Sequence, residues 1–156
     1  MLVNLLTLPN ERDVFEKMCD AGIIIRRANT FEATAVRCFI EENFSIGWAD
    51  EVAPCFARQP VSLHIAIIDG AIVGFAATEA TCRNFFGPTG VSLEHRGKGI
   101  GRALLIASLY GLRNAGYAYG IIGGVGPAEF YAKTVGAIPI PNSTPGIYAN
   151  MLHKRS

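Results

Sequence analysis

The stretch at residues 91–105, VSLEHRGKGIGRALL, constrains the fold of this chain more than any other. A β-like segment enters a turn rich in glycine and cations, and an apolar helical pattern follows at once. The glycines and cations of the turn are Arg96, Gly97, Lys98, Gly99, Gly101 and Arg102. Residues without side chains let backbone N–H groups at a helix start approach an anion closely. The stretch therefore predicts a strand, an anion-binding turn and a helix.

Two common phosphate-binding motifs do not match this turn. A Walker A loop requires Ser or Thr directly after Gly-Lys, but Gly99 follows Lys98 here. A dinucleotide fingerprint requires the spacing Gly-x-Gly-x-x-Gly, whereas these glycines alternate strictly. The formal net charge of +1 argues against a surface built to coat nucleic acid. The predicted anion site is therefore local.

Length and composition indicate one globular domain over residues 1–156, with residues 1–22 as an accessory helical region. Half of the residues, 50%, are hydrophobic and 17% are charged, which suits a chain that buries a core. The four cysteines lack the spacing of a zinc site, so we predict buried free thiols and no metal. Residues 1–9 lack a basic lead and a cleavage site, and no apolar run would span a bilayer. We therefore predict a cytoplasmic protein with neither a membrane nor a nucleic-acid partner.

Periodicity and turn residues predict strands interspersed with helices. The predicted strands lie at residues 23–28, 61–68, 71–78, 85–91, 117–125, 137–140 and 147–152. The predicted helices lie at residues 11–21, after a cap at Thr30, at 48–58 with Pro54 inside, at 99–114 and at 127–135. The dipeptide at residues 69–70 indicates a hairpin turn. Glycine and proline at residues 87–90 indicate a bulge that re-aims the strand before the anion-binding turn.

The stretch at residues 91–105 closely resembles the acyl-CoA pyrophosphate loop of the GNAT acetyltransferase superfamily. The core of that loop, Arg/Gln-x-x-Gly-x-Gly/Ala, reads RGKGIG at residues 96–101. A second, weaker match is FYAKTVGA at residues 130–137, which resembles the family's Leu/Phe-Tyr-x-Lys-x-Gly-Phe with one extra residue. The order of predicted elements over residues 23–152 agrees as well. The resemblance implies an α/β fold with a mixed, mostly antiparallel sheet, flanking helices and a bulged, splayed strand.

The same resemblance implies transfer of an acetyl group from acetyl-CoA to a primary amine of a small molecule or peptide. Backbone N–H groups of residues 96–101 would hold the CoA pyrophosphate, and the strand before them would pair with the pantetheine arm. The predicted CoA-binding residues are Val91, Ser92, Leu93, Arg96, Gly97, Lys98, Gly99, Ile100, Gly101 and Arg102. In many relatives an Asn contacts CoA at the position of Gly124, so that contact is lost or replaced here.

Two residues are candidates for catalysis, one from the resemblance and one from its position in the chain. Tyr131 matches the family tyrosine that donates a proton to the departing sulfur. Glu79 follows a predicted strand and would act as the base, directly or through water. Other candidates for the base remain open, namely His64, His95 and Glu129.

The acceptor amine would meet the first two helices of the resembling region and their connection. The candidate contacts there are Phe44, Trp48, Asp50 and Glu51, of which the carboxylates would suit a cation. A non-catalytic module that binds or senses acyl-CoA is the alternative, because the Asn is missing and the base is not fixed. A nucleotide-binding regulator is a third reading, and a homodimer paired through edge strands remains open.

Overall fold

A computed structural model describes residues 1–152, which form one six-stranded sheet with helices on both faces. The strands are β1 (Leu2–Asn4), β2 (Ile24–Arg27), β3 (Leu63–Ile68), β4 (Ala71–Thr78), β5 (Phe85–Val91) and β6 (Tyr119–Ile122). The helices are α1 (Glu11–Asp20), α2 (Ala33–Asn43), α3 (Ile46–Val52), α4 (Ile100–Asn114) and α5 (Ala128–Val135). The predicted α/β class and mixed sheet are confirmed.

The strands lie in the order β1-β6-β5-β4-β3-β2. Neighbours are antiparallel except β5 and β6, which run parallel and are connected through α4. The predicted hairpin is β3 and β4, which turn at Asp69 and Gly70, both with positive φ. This topology leaves one parallel pair near the middle of the sheet, next to the start of α4.

Alternation along the central strands separates two apolar clusters, one on each face of the sheet. In β3, Ala66 faces the cluster around α1 and α4, while Ile65 and Ile67 face the cluster around α2 and α3. Helix α4 is buried without a break from Ala103 to Leu109. Each fully buried leucine or isoleucine contributes roughly 1.5–3 kcal/mol to folding. Helix α4 is therefore the central element that fixes where the anion-binding turn sits.

The structure changes several predicted boundaries and caps. Asn10 caps α1 as predicted, but Asn29 and Glu32, not Thr30, form a capping box before α2. This box is favoured because two N–H groups at the helix start are satisfied reciprocally. The predicted helix at residues 48–58 begins earlier as α3, and Pro54 lies in the first turn of a separate 3-10 helix, where its missing N–H is not needed.

The N-terminal residues meet the segment around Ile138 at one edge of the sheet, which the sequence did not predict. Strand β1 pairs with β6 and occupies the edge position, so the predicted strand at residues 137–140 is reduced to one bridge between Leu2 and Ile138. The predicted strand at residues 147–152 is wrong, because Ile147 lies in a 3-10 turn, Gly146–Tyr148. Strand β1, which the sequence did not predict, therefore forms this edge of the sheet.

The prediction of buried thiols is only partly met. Cys55 is buried and Cys82 is half-buried, but Cys19 and Cys38 are exposed, so the prediction of buried thiols is wrong for that pair; all four are free. Over residues 1–152, no helix is long and apolar enough to cross a membrane.

His64 on β3 gives the fold a pH dependence. Its ring is 7% exposed, and its Nδ1 lies 3.3 Å from the Ser108 hydroxyl of α4. Burial, and then the charge of Arg27, lowers the pKa of His64 from 6.5 to about 3. As the pH falls below 6.5, the His64 side chain binds a proton in the unfolded chain but stays neutral in the folded chain. The folded state therefore loses stability relative to the unfolded state as the pH falls from 6.5 toward 3.

We expect the free energy of unfolding to fall by about 1.4 kcal/mol between pH 7.5 and pH 5.5 because of this one group. Urea unfolding at the two pH values measures the change. His64→Leu should be less sensitive to pH by that amount. Equal sensitivity of the two proteins would show that His64 is not the cause.

Candidate active site

The parallel strands β5 and β6 separate after a short paired region, and the gap between them is the cleft. Strand β5 pairs with β6 only at Phe85 and Phe86. On its other side, β5 pairs with β4. The four residues from Phe86 to Thr89 on β5 lie opposite only the three residues from Ala76 to Thr78 on β4. One extra residue on β5 is a bulge, which confirms the prediction for residues 87–90. The bulge and the separation open the sheet at its middle.

The anion-binding turn lies at one end of the cleft. Gly97 and Gly99 adopt φ of +78° and +82°, and Gly99 caps α4. The first helical hydrogen bond joins Ala103 N–H to Gly99 C=O. The N–H groups of residues 100–102 therefore have no helical acceptor, and they lie at the positive end of the helix dipole.

A cavity of about 440 Å³, here called the phosphate cavity, lies over these N–H groups. Most predicted CoA-binding residues line it, namely Val91, Arg96, Gly97, Gly99, Ile100, Gly101 and Arg102. His95, Pro127 and Phe130 complete its walls. The loop thus combines free amides with two guanidinium groups around one cavity.

Three of the predicted CoA-binding residues do not line the phosphate cavity. Ser92 donates its N–H to Val73 O at 2.9 Å, and its hydroxyl lies 2.9 Å from His95 Nδ1. The Leu93 side chain is 76% exposed. Lys98 lines a different hollow beside α1. Within residues 1–152, these three therefore shape the turn from outside the cavity.

A second cavity of about 460 Å³, here called the reaction cavity, lies on the other side of Pro127, which lines both. Its walls come from α3, the bulge of β5, the loop after β6, α5 and the C-terminal segment. The side chains there that can bind or react with a ligand are those of Trp48, Glu51, Tyr131 and Tyr148. The two cavities adjoin along the cleft, so one elongated ligand can reach from the α4 N-terminus to these side chains.

Tyr131 brings a protonated phenol to the reaction cavity. The residue is 7% exposed, and its ring packs edge-on against Phe130 at 5.2 Å and Phe86 at 6.2 Å between centroids. Burial raises the pKa of the Tyr131 phenol above its usual value of 10. The residue lines the reaction cavity, so its hydroxyl can donate a proton to a bound ligand.

Glu79, the predicted base, lines neither cavity. Its carboxylate pairs with Arg58 Nη1 at 2.9 Å, and it accepts hydrogen bonds from the Tyr117 hydroxyl and the Asn84 N–H. These partners hold it beside a separate hollow near the C-terminal end of α4. The positive φ of Glu79, +55°, turns the chain away after β4. Glu79 is therefore placed as a structural carboxylate.

We expect Glu79→Gln to lower the free energy of unfolding by about 1–3 kcal/mol, because hydrogen bonds to a charged group are lost. The acetyl-transfer turnover that the resemblance implies should stay within about twofold of the wild type, since the residue lies outside both cavities. Urea unfolding and an acetyl-transfer assay measure the two effects. A large loss of turnover with unchanged stability would restore Glu79 as the base.

The other candidates for the base also lie outside the reaction cavity. His64 is buried between β3 and α4, and His95 lines the phosphate cavity. Glu129 is exposed and pairs with Lys133 at 3.2 Å. Among the described residues that line the reaction cavity, Glu51 carries the only formal charge. Its carboxylate accepts a hydrogen bond from the Thr81 hydroxyl.

The predicted acceptor residues divide into lining and supporting groups. Trp48 and Glu51 line the reaction cavity, whereas Phe44 lies behind Trp48 and stacks on it at 5.4 Å. The Phe44 ring rests directly on the backbone of Gly90, where a Cβ would clash with it. Asp50 points elsewhere and pairs with Arg37 at 3.0 Å. Phe44 therefore positions Trp48 and does not itself line the cavity.

Tyr148 is a cleft residue that sequence reasoning missed. Its hydroxyl lies over the glycine pair, 3.0 Å and 3.2 Å from where a Cβ would stand at Gly123 and Gly124. Burial raises the pKa of the Tyr148 phenol, and the charge of Glu51 raises it further. The glycine pair was the available signal, because two residues without side chains leave room for a neighbouring ring. Nothing in the sequence indicated which ring fills it.

A splayed sheet with free amides at one end of the cleft and a buried phenol at the other is the arrangement of an acyl-CoA N-acyltransferase. The model of the acetyltransferase (GNAT) family matches residues 28–136. The chain therefore belongs to the acetyltransferase (GNAT) family and is an acyltransferase. No curated protein sequence matches it significantly.

Solved structures of this fold are similar to the chain at low identity. A fungal multi-domain GH3 beta-N-acetylglucosaminidase, which contains a GCN5-related glucosamine N-acetyltransferase region, matches with a TM-score of 0.70 and 16% identity over 86% of this chain. This chain corresponds to only 19% of that protein.

Two bacterial structures match at 22% identity and a TM-score of 0.57. One is a GNAT family acetyltransferase from Brucella melitensis in complex with acetyl-CoA, matched over 71% of this chain and 80% of that one. The other is YhbS from Escherichia coli in complex with CoA, matched over 72% and 67%. At such identities the similarity shows the fold.

Proposed function

We propose that this protein transfers an acetyl group from acetyl-CoA to a primary amine. The observation that carries the proposal is the pair of adjoining cavities, one lined by unpaired amides and cations and the other by a buried phenol and a single carboxylate. An elongated ligand with a phosphate group at one end and a reactive thioester at the other suits both. The amine would enter on the side of Glu51.

The phosphate cavity fits the pyrophosphate of CoA. The N–H groups of residues 100–102 donate toward it, and Arg96 and Arg102 neutralise its charge. The Arg96 side chain also donates from Nε to Val91 O at 3.1 Å, which holds the turn against the end of β5. The Asn contact expected at Gly124 is absent, and Tyr148 occupies the space above that residue.

In the reaction cavity, the residues supply charge, a proton and orientation. Acetyl-CoA supplies an activated carbonyl and a thiolate leaving group. Glu51 attracts the ammonium form of the acceptor and takes its proton, directly or through water, so that the neutral nitrogen forms the new C–N bond. Tyr131 donates its proton to the sulfur as the C–S bond breaks, and the second amine proton restores the phenol. Trp48 bounds the acceptor side of the cavity.

The test is release of free thiol when the protein is given acetyl-CoA and a panel of primary amines. Turnover with an amine supports the proposal. Tight CoA binding without turnover across the panel would favour the alternative, an acyl-CoA-sensing module. Stronger thermal stabilisation by ATP than by CoA would favour a nucleotide-binding regulator, because a specific ligand stabilises the folded state by mass action.

Several finer predictions accompany this function. The acceptor is an amine of a small molecule or peptide, and the reaction uses no metal. Among residues 1–152, no cluster of three or more His, Cys, Asp or Glu side chains is arranged to hold a metal ion. The cytoplasmic location, the single domain over residues 1–156 and a homodimer paired through an edge strand remain predictions from the sequence.

A further inference from the structure

An apolar compartment of about 570 Å³ lies next to the reaction cavity. Its walls include Phe85, Ile121, Val125, Ile140 and Ile147. No charged side chain lines it within the described part of the chain, although Ser143, Thr144 and Met1 also contribute to its walls, and the Met1 ammonium donates a hydrogen bond to Ile122 O at 2.7 Å. A volume of this size is typical of a small-molecule site. The compartment is therefore large enough for a hydrocarbon tail and unsuited to a second positive charge.

Tyr148 and the glycine pair form the boundary between this compartment and the reaction cavity. Tyr148, Gly123 and Gly124 line both, together with Ile122. A Cβ at Gly123 would lie 2.9 Å from the Phe85 ring and 3.0 Å from the Tyr148 hydroxyl. Because the glycines have no side chains, the Tyr148 ring is the side chain at the centre of this boundary. A chain that passes the edge of the ring reaches from one space to the other.

Charge is distributed unequally across the boundary. Among the residues that the structure describes, Glu51 is the charged side chain of the reaction cavity, which it lines together with the boundary residue Tyr148. The charge of Glu51 also raises the pKa of the Tyr148 phenol. The carboxylate therefore lies on the reaction-cavity side of the boundary, and the apolar walls lie on the other side. A ligand that matches both sides has one cationic end and one uncharged, apolar end.

We propose that the acceptor is a primary amine with an uncharged apolar tail, whose nitrogen lies at Glu51 and whose tail passes Tyr148 into the apolar compartment. This assignment rests on the proposed acetyl transfer. The acyl group is the other possible occupant, but the single methyl group of an acetyl group is too small to fill a compartment of about 570 Å³. The amine is therefore the reactant whose tail can extend past Tyr148 into the compartment.

The first test is a series of linear primary amines from propylamine to heptylamine. Dissociation constants are measured by calorimetry without acetyl-CoA, and kcat/KM is measured by thiol release. Affinity should rise about threefold to fourfold per methylene until the compartment is filled. Hexane-1,6-diamine has as many heavy atoms as heptylamine but places a second charge in the compartment, so it should bind about 100-fold more weakly. Affinity that is independent of chain length would overturn the assignment.

The second test changes the volume of the compartment at Ile121, which lines the compartment but not the reaction cavity. Ile121→Trp should abolish the gain from longer tails, and Ile121→Ala should move the optimum to a longer tail. Propylamine should bind all three proteins equally. If Ile121→Trp does not fold, Ile140→Trp fills the same space from another wall. A chain-length gain that survives a folded filling variant would show that the tail lies elsewhere.

The third test separates this assignment from its rivals. Acyl-CoAs of increasing chain length are compared with propylamine as acceptor. If rates rise with acyl length and Ile121→Trp cancels the rise, the compartment holds the acyl chain and the assignment is wrong. Length-dependent amine binding without turnover of any amine would instead contradict the proposed transfer and leave the amine site in place.

Discussion

Tyr131→Phe is expected to lower kcat for acetyl transfer by about 10²–10⁴-fold, because the departing thiolate loses its proton donor. The dissociation constant for CoA should remain within about twofold of the wild type, since the ring and its packing against Phe86 and Phe130 are retained. Thiol release gives kcat, and calorimetry gives the affinity. Burial raises the pKa of the phenol above 10, so the wild-type enzyme should keep the donor protonated across neutral pH.

Tyr110→Phe is the matched control for this variant. Tyr110 is also partly buried and donates its hydroxyl to Pro9 O at 3.1 Å, but it lines neither cavity. Its loss should leave kcat unchanged. Equal turnover by Tyr131→Phe and the wild type would contradict the role of Tyr131 as the acid.

Gly99→Val is expected to weaken CoA binding by about 100-fold or more, because the turn must move and its charge-assisted amide hydrogen bonds are lost. Gly99 adopts φ of +82°, a conformation that β-branched residues avoid, and an added Cβ would meet Met18 at 3.4 Å. The kcat at saturating acetyl-CoA should change less than the affinity. Calorimetry with CoA measures the binding directly.

Gly116→Val separates loss of binding from loss of stability. Gly116 lies just beyond the other end of α4, has φ of +99° and has nothing within 4 Å of its missing Cβ. Both variants should lower the melting temperature through backbone strain, but only Gly99→Val should weaken CoA binding. Equal CoA affinities in the two variants would show that the α4 N-terminus does not hold the pyrophosphate.

Local sequence signals predicted the fold where each element depends on its own residues. The hairpin followed from alternation around residues 69–70, and the bulge followed from Gly87 and Pro88. The end strand β1 could not be predicted, because its three residues are too short to show a period and its pairing with β6 joins distant parts of the chain. Because β1 takes the edge beside β6, the strand expected at residues 137–140 is reduced to one bridge to Leu2, and residues 146–148 form a 3-10 turn in place of the strand expected at 147–152.

The residues of the candidate site could likewise be predicted only where the signal is local in the sequence. The glycine-rich turn indicated an anion site from local backbone chemistry alone, and the motif around Tyr131 indicated a phenol. Glu79 was misplaced because only tertiary contacts, with Arg58 and Tyr117, decide which way its carboxylate points. Tyr148 lies in a segment rich in turn residues, and its position over Gly123 and Gly124 depends on contacts between residues that are distant in the sequence. The acceptor side was therefore the least predictable part of the site.

The central claim is that the chain moves an acetyl group from acetyl-CoA to an amine, and mass spectrometry of a reaction with heptylamine tests it most directly. The products should be N-acetylheptylamine and free CoA in equal amounts, both formed in proportion to enzyme concentration and both strongly reduced by Tyr131→Phe. Free CoA without acetylated amine would indicate hydrolysis of the thioester. Unchanged acetyl-CoA, with heptylamine and every other amine of the panel, would contradict the account.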